Sequence, residues 1–267
     1  MSIAVNVTFD SNVWRPLVSP SVFSNDPDVS HFDVIRQAMI RKAVSGFLGE
    51  AVFTLEAIRR LDRKQFFGKY KADVKTITKI TDENSVGMNF TVGPSQTSHA
   101  KNNPYLEKHF NDARPLGFKL LRTPRIAGIV NVDLKPEDYA GDERMPIEKR
   151  LERFGQIARE IESKGCGISH IKSLGHKHTK NGVWIDGIKA APQADEKPIA
   201  EAIAEWADAD ALAAHYGYGN DYFCTRDTAK AAGVSSVMSA SNRQWLHKDF
   251  GVIFVTPGDL ARILANP

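Results

Sequence analysis

The sequence predicts an α/β fold, with a central parallel sheet flanked by helices. Three observations carry that prediction. Short apolar runs stand near both ends of the chain, at Val5–Phe9, Tyr222–Cys224 and Val252–Val255, with helical patterns between them, as in parallel strands joined by crossover helices. Two of these runs lead into acidic residues, Asp10 and Asp227, at the strand ends where open parallel sheets bind ligands. Two further acids, Glu56 and Asp210, sit in or beside apolar helical stripes, where a carboxylate costs free energy unless a cation neutralises it.

Taken in chain order, Val5-Asn6-Val7-Thr8-Phe9 alternates apolar and polar and breaks at Asp10-Ser11-Asn12, a strand running into a polar turn. From Glu50 to about Leu61 a helix is expected to turn Val52, Leu55 and Ile58 inward. Glu56 lies at the edge of that stripe, and Glu50 is about 120° around the axis from it. Farther on, Pro146 opens a helix with Ile147, Leu151, Phe154, Ala158 and Ile161 on one face, stopping near Lys164-Gly165. The run Ile129-Val130-Asn131-Val132 suits a strand, while the stretches around Gly93–Ser98 and Gly175–Gly182 read as loop. From Pro198 a helix carries Ile199, Ile203, Trp206, Ala207, Ala213 and Ala214 as a buried stripe containing Asp210. Asp208 is about 200° away and reads as solvated, and the small Ala213 and Ala214 invite close approach of another backbone. The strands Tyr222–Cys224 and Val252–Val255 and a short helix after Thr256-Pro257-Gly258-Asp259 close the chain.

Composition narrows the class. A chain of 267 residues with 42% hydrophobic content can bury a good core as one large domain or two small ones. It has no apolar stretch of membrane-spanning length and no charged-then-apolar leader, so a cytoplasmic protein is expected. Only Cys166 and Cys224 are present, outside any C-x-x-C pair, which argues against a disulfide framework. The net charge of +3 announces no nucleic-acid binder, but Arg59, Arg60, Arg63, Lys64, Lys69 and Lys71 cluster beside Phe66, Phe67 and Tyr70. Such a cluster suits a phosphate backbone with base stacking, although solvated faces share the pattern. Cys166, His170, His176 and His178 are zinc-ligand types, but their spacing matches no standard finger and an incidental loop is expected. The acids have plain structural readings too: Asp10 and Asp227 as caps or turn formers, Asp210 as a buried acceptor, Glu56 as a partner of Arg59 or Arg60.

In order along the chain, the segments DSNVW from Asp10, GEAVFTLEAI containing Glu56, DADALAAH containing Asp210 and YFCTRD ending in Asp227, closed by VIFVTPGDL, resemble the PIN domain, a family of metal-dependent nucleases. The resemblance covers roughly the first 60 and last 70 residues, each motif weak alone and the ordered set fairly specific. It implies one PIN-like domain over residues 1–267, a three-layer fold with core segments of about 1–61 and 196–267 and an α/β insertion over about 62–195. It also implies a site: Asp10, Asp210 and Asp227 as ligands of Mg²⁺ or Mn²⁺, and Glu56 as a ligand or as the group orienting the attacking water. Glu50 is the rival glutamate, and Asn12 and Thr225 would hydrogen-bond the carboxylates. The implied activity is endoribonucleolytic hydrolysis of RNA phosphodiester bonds. The implied partners are RNA, an inhibitory antitoxin-like protein as in toxin members of the family, and a second copy in a homodimer. The alternative is a PIN-fold module that binds RNA or protein without catalysis. A haloacid-dehalogenase-like phosphatase is disfavoured because Asn12 stands where that chemistry needs a second Asp.

Overall fold

Alternation in the first strand commits its two faces to two different cores. In the computed structural model, which describes residues 4–69, 72–82, 85–94, 103–123, 134–143, 145–180, 182–229 and 236–265, β1 (Val5–Phe9) sends Val7 and Phe9 to one side. Thr8 points the other way, where its hydroxyl accepts a hydrogen bond from the Asn220 amide at 2.8 Å and shares one with His215 Nδ1 at 2.9 Å. β1 pairs in parallel with β2 (Val44–Gly49) on one flank and β6 (Tyr222–Cys224) on the other. β5 (Lys119–Leu121) and β7 (Phe254–Val255) extend the sheet outward, giving the all-parallel order β5-β2-β1-β6-β7. The chain thus winds out from β1 in one direction and returns to wind out in the other. The reversal lies between β1 and β6, the position at which open α/β sheets form a ligand crevice.

Helices cover both faces of the sheet, as a parallel sheet requires. On one face α1 (Ser11–Val18), α2 (Val29–Ile40), α4 (Pro104–Ala113) and α10 (Pro257–Ala265) pack Trp14, Phe32, Ile35, Phe110 and Leu260 against Phe9, Leu48 and Leu120. On the other, α5 (Ile147–Ser163), α8 (Glu196–Tyr218) and α9 (Ala240–Phe250) bring Phe154, Ile157, Leu212 and Leu246 onto Phe47, Leu121 and Phe223. A third cluster joins α3 (Arg63–Lys69), α6 (Ile168–His176) and α7 (Trp184–Ala190) to the first half of α8, through Phe67, Ile171, Ile188, Ile199 and Trp206. β3 (Ala72–Asp82) and β4 (Ser85–Pro94) form a separate antiparallel hairpin. The result is a three-layer α/β/α arrangement.

Several expectations are corrected here. Of residues 62–195, expected to be an insertion, β5 adds the strand at the sheet's edge and α4 and α5 pack in the two main cores, while β3 and β4 form their own hairpin. The helix expected from Glu50 to Leu61 is a 3-10 turn over Glu50–Phe53 followed by turns, because the chain departs from helical geometry at Thr54 (φ −108°, ψ −84°). Gly93-Pro94 ends β4 and is not loop. Tyr70, Lys71, the stretch 95–98 and the run Ile129–Val132 lie outside the described residues. The close approach foreseen at Ala213 and Ala214 occurs at Ala211: a side-chain carbon on Gly49 would stand 2.9 Å from the Ala211 methyl, so only glycine lets the end of β2 meet α8. Among the described residues no helix is long and apolar enough to cross a membrane.

Candidate functional site

Asp10 ends β1 and is the N-cap of α1, a position favoured for Asp because its side chain satisfies a helix-end amide. Its Oδ1 accepts from Ser11 N at 2.6 Å, and its Oδ2 accepts from the Asn12 amide at 2.7 Å and the Thr225 hydroxyl at 2.6 Å. Asn12 and Thr225 are therefore contacts of one carboxylate oxygen, and they join the ends of β1 and β6. The join is extended by Arg226, whose backbone N–H donates to Asn12 Oδ1 at 3.1 Å and whose guanidinium grips both Asp26 oxygens at 2.8 and 2.9 Å. Asp227 follows as a turn residue, accepting from Ala229 N at 2.7 Å while its own N–H donates to Thr225 Oγ1 at 3.0 Å.

Five carboxylates from four segments perturb one another here. Burial is the largest cause of the raised pKa of Asp10, and the charge of Asp227 adds to it against the opposing hydrogen bonds from Thr225 and Ser11. Glu56 is pushed up to about 7, first by burial and then by the charge of Asp10, with Ser11, Arg63 and Arg15 pulling the other way. Asp208 is raised well above the carboxylate range by burial and by the charges of Asp10, Glu56, Glu205 and Asp227. Glu205, one helical turn before Asp208, is raised by burial and by Asp227, while the Ser236 side chain and Val237 N stabilise its anion. Arg63 and Arg243 lie beside the group, each with its pKa lowered by burial and partly restored by these acids.

The α8 acid on which the charges of this group act is thus Asp208, and Asp210 stands about 200° around the helix from it. Asp210 is buried and its Oδ2 accepts from the Trp206 indole at 3.1 Å, in the structural acceptor role. The single-stripe argument fails because α8 is buried around most of its circumference, with α5 and the sheet on one side and α3 and α6 on another, so the face opposite the stripe is also inward. Glu50 is directed elsewhere too. Its oxygens accept from Thr123 N at 3.1 Å and the Tyr139 hydroxyl at 2.9 Å, in the wall of a separate cavity of about 250 Å³ shared with Arg122, Arg150 and Tyr218.

Four of the basic residues have partners within the chain. Arg59 pairs with Asp62 at 2.6 Å, Arg60 with Glu201 at 2.6 Å and Lys64 with Glu196 at 4.0 Å. Arg63 is buried, and its guanidinium ties the carbonyls of Ile58 and Ala200 together at 3.1 and 2.8 Å, which withdraws it from any nucleic acid. The zinc-type residues do not assemble: the buried Cys166 thiol takes a hydrogen bond from Asn242 at 3.4 Å, and His178 pairs with Asp195 at 2.7 Å.

Among the described residues, no three His, Cys, Asp or Glu side chains are close enough as they stand to hold one metal ion. The donors around Asp10 are nonetheless all carboxylate oxygens, the set that suits hard divalent cations, and their mutual repulsion is what such a cation relieves. Fold and site together define an α/β protein with a group of mutually perturbing acids at the switch point of its parallel sheet. The chain matches no family model, no curated protein and no solved structure.

Proposed function

We propose that the chain is a PIN-like, metal-dependent endoribonuclease. The observation that carries this reading is the grouping of Asp10, Glu56, Asp208 and Asp227 at the β1–β6 switch point, from segments whose order matches the family's acidic motifs. Asp208 takes the role that the resemblance gave to Asp210.

Asp10, Asp208 and Asp227 would hold Mg²⁺ or Mn²⁺, which when bound supplies Lewis-acid stabilisation of charge on the phosphodiester. The chain's own groups have separable tasks. Asp10 is held in orientation by Ser11, Asn12 and Thr225, so it meets a ligand without reorganising. Glu56, with its pKa near 7, is the group suited to take a proton from an attacking water at neutral pH. Attack of that water on phosphorus breaks one P–O ester bond, and the departing ribose oxygen takes its proton from a solvent water.

Among the described residues no three-carboxylate ligand set stands ready, and this favours a second reading, a PIN-like module that binds RNA or protein without cutting. RNA cleavage assayed in EDTA, Mg²⁺ and Mn²⁺ separates the two. Wild-type protein should cut RNA only with metal, and Asp227→Asn should lower the rate by orders of magnitude while RNA affinity survives. Absence of metal-dependent cleavage on both single-stranded and structured RNA would give the ground to the binding module.

A further inference from the structure

Beside the acids stands a cation and aromatic pair that the chemistry above does not use. Arg15 lies one turn along α1 from Ser11, and its Nε donates to the Ser11 carbonyl at 3.0 Å, which fixes the base of its side chain on the side of the helix nearest the acids. Its charge acts on Glu56, yet among the described residues no carboxylate forms an ion pair with it. Its guanidinium carbon stands 6.0 Å from the centre of the Tyr105 ring. Tyr105 in turn packs edge-on against His109, centroids 4.4 Å apart, and keeps 47% of its surface exposed.

The position of Tyr105 is set by the same part of the fold that sets Glu56. Asn103 caps α4 by accepting from Leu106 N at 3.3 Å, and its amide donates to the carbonyl of Ala57, next to Glu56, at 3.5 Å. The first turn of α4 is thereby fastened to the Glu56 turn, and Tyr105 is its exposed aromatic. Neither side chain belongs to the buried clusters, so the pair stands at the surface beside the Glu56 turn.

We infer that Arg15 and Tyr105 form a nucleotide subsite flanking the acids, Tyr105 stacking on one base and Arg15 contacting the adjoining phosphate. This rests on the nuclease reading for its substrate. A base can lie on Tyr105 only if it has left its neighbours in the helix, so the subsite selects an unpaired nucleotide over a duplex. Arg15 suits the phosphate because its planar fork is free at Nη1 and Nη2 once Nε is bound to Ser11.

The test is fluorescence anisotropy of a short labelled oligoadenylate, and of a fully paired RNA hairpin, in EDTA so that nothing is cut. Tyr105→Ala should weaken oligoadenylate binding roughly five- to hundredfold, the range of one lost base stack, while Tyr105→Phe binds as wild type and hairpin affinity is unmoved by either. Arg15→Gln should weaken binding and reduce the slope of log affinity against log salt by about 0.7, one phosphate contact to a single strand. Binding of oligoadenylate by both Tyr105→Ala and Arg15→Gln at wild-type strength overturns the subsite, as does no binding by wild-type protein. If the variants lose binding but wild type fails to cut RNA with any metal, the subsite stands and the nuclease reading falls. If wild type cuts and the variants bind and cut equally well, the reverse holds.

Discussion

Replacing Glu56 by Gln should stabilise the protein at alkaline pH and leave it unchanged in acid. The folded-state pKa is raised from 4.5 to about 7, chiefly by burial and then by Asp10, so between those values the native state binds more protons than the unfolded chain. The stability that the protonated group contributes is present in full below about 4.5 and lost as pH rises through about 7, because ionised Glu56 then sits in a desolvated, negatively charged surrounding. At about 1.4 kcal/mol per pKa unit the ceiling is about 3 kcal/mol. Glu56 is partly exposed, and solvent screening trims that to roughly 1–2 kcal/mol. The substituted amide cannot ionise and still offers an acceptor for Ser11. Urea unfolding in EDTA should therefore give wild type and Glu56→Gln the same midpoint near pH 4.5, with the variant ahead at pH 8. Adding Mn²⁺ should move wild type up towards the variant at pH 8, since a bound cation stabilises the ionised form. A variant less stable than wild type at pH 8, or an offset independent of pH, would refute the reasoning.

Two further substitutions separate the acids by role. Asp208→Asn should cut metal-dependent RNA cleavage by about two orders of magnitude or more without loss of fold, whereas Asp210→Ala should keep activity at permissive temperature and cost about 1–3 kcal/mol, because the Trp206 indole loses its buried acceptor; the opposite pattern in paired rate and melting measurements returns the site to Asp210. Glu50→Gln should lower stability by about 1–2 kcal/mol and leave cleavage intact, since an amide group would then face the donors of Thr123 and Tyr139, and a cleavage defect without a stability defect would place Glu50 in the chemistry.

What the sequence disclosed depended on how much of an element's environment its own pattern encodes. The alternation in Val5–Phe9 marks a strand because one face meets a polar residue network and the other a core. The stripe of α5 is legible in part over Ile147–Ser163: Phe154, Ala158 and Ile161 are buried, while Ile147 and Leu151, expected on the same face, are exposed. α8 has more than one buried face, so its apolar stripe identified the helix while misplacing its acid. Glu205 was passed over, although its spacing of three from Asp208 puts both on one helical face and was a readable sign. β5 contributes three residues, Lys119–Leu121, too few to register any period, and its role comes from pairing with β2 alone. The β3–β4 hairpin, by contrast, carries a run of β-branched residues in Val74-Lys75-Thr76-Ile77-Thr78 that the pattern rules could have found. The Glu50–Leu61 stretch failed through its turn chemistry: Glu56 N bonds to the Ala51 carbonyl five residues back, a closure that no helical wheel anticipates.

The fold also explains why these acids differ in how they bear their charge. Asp10 stands at the N-terminus of α1, where unsatisfied amides and the helix dipole favour an anion, and three donors bind its oxygens. Asp208 sits within α8, where the amides are already spent on the helix, and it faces four other carboxylates. Repulsion in the group is therefore relieved unevenly: hydrogen bonds from Thr225 and Ser11 oppose the effect of burial at Asp10, while Asp208 is raised well above its ordinary value and Glu56 to about 7. Arg63 and Arg243 compensate little, because Arg63 is directed to the carbonyls of Ile58 and Ala200 and Arg243 to those of Met238 and Asp227. On the proposed metal-site reading, a divalent cation bound among these acids would displace the proton from Glu56, so its affinity would rise with pH across the range in which Glu56 titrates.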